Sequence, residues 1–244
     1  MSLTPSELER YDRQIRVFGR EGQARLKRGR IVVVGLGGLG CAAVTYLVAA
    51  GVGRIVLVDD EKVELSNLNR QVLHWSKDVG RPKASSAAEK LGELNPEVSV
   101  EALREEVTER NVEDIVREGD VIVDGTDNWK TRFLLNDSCV EIGKPFVHAS
   151  VHGLYGQALT VVPGQGPCLR CAVPRPPRER GPFPILGTTA GILGLIQATE
   201  AVKLLTGYGK PAVGRLLIYD GYSMEFREVK VRRQEGCPAC GRAT

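Results

Sequence analysis

Gly35, Gly37 and Gly40 are spaced G-x-G-x-x-G, after the β-branched run 30–35 and before an apolar stretch, 39–51, that suits a helix. That pattern gives a tight turn, lets backbone approach phosphate closely and aims helix N-terminal amides at an anion. Gly38 lies in the same turn, and Asp59 ends the next predicted strand, where a carboxylate takes a ribose hydroxyl. Strand, turn, helix and acid coincide, which favours a nucleotide site over a turn that merely packs.

The fingerprint alone is commonest in NAD and FAD enzymes, so other residues must discriminate. Asn67, Arg70 and Gln71 follow in the polar run SNLNRQ, and Lys83 stands near the start of the next predicted helix. Fixed cations there suit a triphosphate better than a nicotinamide, although any one of them alone reads as a solvated surface side chain. Gly125, Thr126, Asp127 and Asn128 follow directly after a predicted strand, 120–124. Open α/β sheets bind ligands at that edge, and Asp127 offers an oxygen donor for magnesium beside phosphates. The same four residues suit a helix N-cap, and Asp124 reads as such a cap or as a buried, hydrogen-bonded acid.

Six cysteines include two C-x-x-C pairs, Cys168 with Cys171 and Cys237 with Cys240. Four thiolates make a closed tetrahedral site with no place for substrate, so a structural zinc ion is expected in preference to redox pairs. Cys41 and Cys139 fall inside predicted helices and read as small buried hydrophobes. His74, His148 and His152 show no metal spacing and no companion nucleophile, so they receive structural or surface roles only.

The elements that must position these groups alternate in a doubly wound order. Strands are predicted at 30–35, 53–59, 98–103, 120–124 and 145–149, and helices at 39–51, 82–94, 109–118 and 128–142. From 155 to 162 and from 214 to 231 the pattern turns to alternating strands, flanking a Pro- and Arg-rich loop and an apolar helix. The expected fold is α/β: a Rossmann-like, doubly wound, mostly parallel sheet with a C-terminal antiparallel extension and a structural zinc site of four cysteines. One domain spans 1–244, with a peripheral helical arm at 1–28, a nucleotide-binding part at 29–150 and the extension at 151–244. Hydrophobic residues at 42% and charged residues at 26% suit a water-soluble globule, and a net charge of +3 is too small for a dedicated nucleic-acid surface. Residues 1–14 lack the apolar core of an export signal, and Gln197, Glu200 and Lys203 interrupt the one long apolar stretch, so a cytoplasmic protein without a membrane span is expected.

Taken in order, RYDRQI (10–15), VGLGGLG (34–40), LVDDEKVELSNLNRQ (57–71), GRPKA (80–84), GTDN (125–128) and the paired C-x-x-C motifs resemble the MoeB/ThiF family of adenylyltransferases, and within it the MoeB branch. These are relatives of the ubiquitin-activating enzymes, and the resemblance runs from about residue 10 to 241. It implies a homodimer that uses ATP and magnesium to place AMP on the C-terminal glycine of a small ubiquitin-fold protein ending in Gly-Gly, such as MoaD, ThiS or an archaeal modifier. Position by position, Gly37 would approach the nucleotide, Asp59 would hold the ribose, and Asn67, Arg70 and Lys83 would contact phosphates. Asp127 would organise magnesium, and Arg13 would reach into the partner subunit's site. Arg175, Arg178 and Arg180 read either as a solvated loop or as a strap over the incoming tail. Two rival readings share these motifs: an NAD- or FAD-dependent oxidoreductase, and a non-catalytic binder of a ubiquitin-fold protein.

Some family members carry a transfer cysteine in the loop after the first C-x-x-C, where this chain has RPPRERGPFPI and no thiol. Adenylation without a covalent thiol step is therefore expected. After ATP and a Gly-Gly partner are added, non-reducing electrophoresis should show no dithiothreitol-sensitive adduct; such a band overturns the expectation.

Overall fold

The computed structural model describes residues 2–176 and 183–241. Its framework is an eight-stranded sheet in the order β3-β2-β1-β4-β5-β6-β7-β8. The strands are β1 (Arg30–Val34), β2 (Arg54–Val58), β3 (Ser99–Leu103), β4 (Val121–Asp124), β5 (Phe146–His152), β6 (Tyr155–Val161), β7 (Arg215–Asp220) and β8 (Glu225–Lys230). The first five are parallel and the last three antiparallel, as the change of pattern after residue 153 predicts. The chain steps outward from β1 to β2 and β3, then returns to the other side of β1 with β4. Strand order therefore reverses between β1 and β4, the place where open sheets of this kind bind ligands.

A continuous run such as Arg30–Val34 carries no polar alternation because both faces of the strand are covered. Ile31 and Val33 join one core with α3 (Gly38–Ala49), α4 (Lys83–Leu94) and α8 (Gly187–Thr206), while Val32 and Val34 join another with α5 (Val112–Arg117), α6 (Trp129–Ile142) and α7 (Leu169–Ala172). Helix α8 is the apolar stretch seen in the sequence. It packs along α3 so closely that a Cβ at Gly194 would lie 2.5 Å from the Leu39 carbonyl. Among the described residues no helix is long and apolar enough to cross a membrane.

Two predicted elements depart from the sequence reading, the helix at 109–118 and the N-terminal arm. The predicted helix at 109–118 begins only at Val112, because Asn111 Oδ1 accepts hydrogen bonds from the amide and hydroxyl of Thr108 and closes a turn there. The N-terminal segment is two helices, α1 (Pro5–Arg10) and α2 (Asp12–Arg28), and Gly19 kinks the second. Nor is this segment wholly peripheral: Leu26 is fully buried in the core beside α3, and Tyr11 and Gln23 are buried too. At the other end, β8 is exposed along its whole length.

The fold turns on how near β1 and β4 let their following turns come. A Cβ on Gly40 would sit 1.9 Å from the Gly35 carbonyl oxygen, backbone against backbone, with no flexible atom to move. Gly40→Ala should lower the unfolding free energy in urea by about 3 kcal/mol or more, and a loss under about 1 kcal/mol would refute this account of the turn.

Candidate nucleotide site and cysteine cluster

A cleft of about 1080 Å³ opens above the carboxyl ends of β1, β2 and β4. Its floor is built from glycines with separate tasks. Gly35 has a φ of +87° and Gly125 faces it across the switch point, where a Cβ on either would come within 2.7 Å of the other's backbone. Gly37 differs: a Cβ there would meet nothing closer than 3.9 Å, so what its missing side chain leaves clear is cleft. It also caps α3 without a side-chain acceptor, leaving the first amides of that helix without an intrahelical partner.

Beside the floor, buried Asp59 accepts from the Leu36 amide at 2.7 Å and the Glu61 amide at 2.9 Å. Burial raises its pKa above the ordinary aspartate value, against these two bonds and the nearby Lys83 charge. Asn67 closes a short 3-10 turn (Leu65–Asn67) by accepting from the Glu64 amide. Arg70 is held on the wall by bonds from Nη1 to the Ser66 carbonyl and Asn69 Oδ1. Gln71 is 3% exposed, and its Oε1 is buried without a hydrogen-bond partner among the described residues. Lys83, the first residue of α4, is equally buried and is ion-paired to Glu61.

Across the cleft, Asn128 caps α6 by accepting from the Thr131 amide. Asp124 is fully buried, with Oδ1 accepting from the Thr126 amide and hydroxyl and Oδ2 accepting from His148 Nδ1 at 2.6 Å. Burial works to raise the Asp124 pKa, but the His148 bond and the Arg132 charge outweigh it and hold the group ionised. Asp127 is therefore spent neither on the cap nor on the buried network, and stands exposed on the rim.

The cleft thus gathers Gly35, Gly37, Gly38, Asp59, Asn67, Arg70, Gln71, Lys83 and Asp127. Gly40 lies behind the floor. Arg13 lies on the exposed side of α2, outside its own chain's cleft, on a segment tied to the far end of α3: Gln14 and Gln23 donate to the Ala50 carbonyl, and Asn95 donates to the Tyr11 hydroxyl. Arg178 and Arg180 fall outside the described residues; Arg175 is exposed. Sequence reasoning missed Arg132, which reaches the cleft from α6, donates to the Thr126 carbonyl at 2.7 Å and lies over the Trp129 ring. Its one available signal was a position five residues after Asp127, on the first turns of the following helix.

The ThiF family model matches residues 11–239. The chain belongs to the ThiF family. It is 49% identical to the SAMP-activating enzyme E1 of Haloferax volcanii, over 99% of this chain and 92% of that protein. It is 45% identical to the sulfur carrier protein adenylyltransferase of Thermus thermophilus, over 99% and 93% respectively. Among solved structures, E. coli MccB with ATP superposes with a TM-score of 0.87, covering 95% of this chain and 74% of that one; at 23% identity this speaks for the fold alone.

In this ThiF-family chain the four paired cysteines converge on one buried point. Their sulfurs all lie within 4.8 Å of one another, with Cys168 to Cys237 at 3.5 Å and Cys171 to Cys240 at 3.4 Å. A disulfide would need about 2.05 Å, whereas tetrahedral thiolates about 2.3 Å from a zinc ion lie about 3.8 Å apart. The donor set and spacing fit zinc. The cluster joins α7 to the C-terminal tail beneath Phe146, Leu159 and Val161 of the sheet. Stripping the metal with a chelator should lower Tm by about 5 °C or more and expose residues 232–241 to protease before ATP affinity falls. An unchanged Tm with metal demonstrably removed would refute a stabilising role.

Proposed function

We propose that this chain is an ATP-dependent adenylyltransferase that activates the C-terminal glycine carboxylate of a small ubiquitin-fold protein ending in Gly-Gly. The observation that carries the reading is the union, in one cleft at the switch point, of a helix N-terminus floored by Gly37 with Arg70, Lys83 and Asp127. Relatives named for SAMP activation and for adenylating a sulfur carrier protein support this class of partner. Their adenylyltransferase character also sets aside the nicotinamide and flavin oxidoreductase reading.

The chemistry brings two anions together. A carboxylate oxygen of the partner attacks the α-phosphorus of ATP, a new P–O bond forms, the bond to the bridging oxygen breaks, and pyrophosphate leaves. The carboxylate is already ionised at neutral pH, so no general base is needed. What the chain must supply is position and positive charge. Gly35, Gly37 and Gly38 would present backbone to the nucleotide, Asp59 would hold the ribose, and the orphaned Gln71 carbonyl would accept from a ligand donor. Asn67, Arg70 and Lys83 would meet the phosphates, Lys83 leaving Glu61 to do so. Asp127 would hold magnesium, which neutralises phosphate charge when bound. In a homodimer, Arg13 of a second copy would complete the site.

The charges act on the transition state. Arg70→Ala, Lys83→Ala and Asp127→Ala should each slow ATP–pyrophosphate exchange in the presence of the partner by more than about tenfold, a loss of over about 1.4 kcal/mol. Wild-type exchange in all three variants sinks the assignment.

A further inference from the structure

Behind the cleft floor runs a buried hydrogen-bonded chain that none of the assigned roles uses. It starts at the ion pair of Asp78 and Lys90, both buried. The Lys90 ammonium has three protons, and three acceptors surround it: Asp78 Oδ2 at 2.6 Å, Ser86 Oγ at 2.9 Å and the Ser86 carbonyl at 3.1 Å. A lysine donates only. The Ser86 hydroxyl therefore has its own proton left for its other neighbour, His74 Nδ1, at 3.0 Å. If Nδ1 accepts that proton, the single N–H of a neutral imidazole sits on Nε2. Nε2 lies 3.3 Å from the Leu36 carbonyl, which can only accept. The Leu36 end demands this tautomer, and the Ser86 hydroxyl, with a proton free to donate, satisfies it at the other end. The Cys41 thiol donates to that carbonyl as well, at 3.2 Å.

Leu36 lies between Gly35 and Gly37 in the glycine turn, and the amide on its other side donates to Asp59 Oδ2. Gly35 is fixed by its backbone contact with Gly125 and Gly40, but on the other side of Leu36 no side chain restrains Gly37, where a Cβ would meet nothing closer than 3.9 Å. We propose that His74 is a positioning residue for the nucleotide: as the Nε2–H tautomer, with Nδ1 accepting from Ser86, it donates to and holds the Leu36 carbonyl so that the glycine turn and Asp59 keep the shape ATP requires. This rests on the nucleotide reading above. Burial, with the positive charges of Lys83 and Lys90 adding to it, pushes the His74 pKa down to about 4, so the ring is neutral at physiological pH.

The test uses the full chain and magnesium-ATP. His74→Phe keeps a ring but loses both polar contacts, while His74→Gln restores a donor near the Nε2 position. His74→Phe should raise the ATP Kd and the KM in pyrophosphate exchange by about tenfold with little change in kcat, the size expected when a buried carbonyl loses a donor. His74→Gln should return both to within about threefold of wild type. The wild-type imidazole 15N spectrum should show a bare Nδ1 and a protonated Nε2 at pH 7. If His74→Phe does not fold, Ser86→Ala, which removes the proton donor to Nδ1, should weaken ATP in the same direction. Wild-type ATP affinity in the variant that folds, or a protonated Nδ1 in the native protein, overturns the inference. A wild-type chain that binds no ATP overturns the nucleotide reading itself, and this inference with it.

Discussion

Two strand-to-helix turns touch, backbone to backbone, where β1 and β4 lie side by side. Gly35, Gly40 and Gly125 share that contact, and no side chain fits inside it. Everything at the cleft inherits its position from this contact. It sets where α3 begins, how far the GTDN turn stands from it, and so how wide the floor is between Gly37 and Asp127. A ligand spanning the switch point meets the amide end of one helix and the acidic rim of the next because the two turns cannot move apart without losing their packing.

Around that floor, charges are buried in company. Asp124 has His148 and Thr126, with Arg132 beyond; Asp78 has Lys90 and Arg81; Lys83 has Glu61. An isolated buried charge would be costly, and each of these has a partner with hydrogen bonds to complete it. The pairs also link elements: Asp124 joins β4 to β5, and Gln197 of α8 donates to the carbonyls of Asp124 and Val147 on the same strands. The site is held as a unit by polar bonds laid across a hydrophobic sheet.

Much of this could be read from the sequence, for physical reasons. Unbroken β-branched runs announce strands covered on both faces, and the glycine fingerprint fixes which strand leads into the cleft. The paired cysteine motifs announced a four-sulfur cluster because short spacing leaves two thiols little choice of direction. Residues whose meaning depends on distant neighbours stayed hidden. His148 and His74 gave no spacing signal, since their partners lie 24 and 12 residues away along the chain. Arg132 looked like any helix arginine until Trp129 and Thr126 surrounded it. The arm was underestimated because its buried residues, Tyr11, Gln23 and Leu26, are few and scattered among charged neighbours, so no apolar run marks the segment as core.

The pairing of Lys83 with Glu61 would set a threshold for entry to the proposed site. A cation whose field is already quenched by an adjacent carboxylate offers little to chloride or to a lone carboxylate, since either would merely exchange one monovalent neighbour for another. A polyphosphate would carry more charge than the carboxylate it evicts and, on the proposed reading, would offer further oxygens to Arg70. If the cleft holds ATP as proposed, discrimination by valence would begin before any contact with base or sugar, through a glutamate that keeps most of its side chain in water.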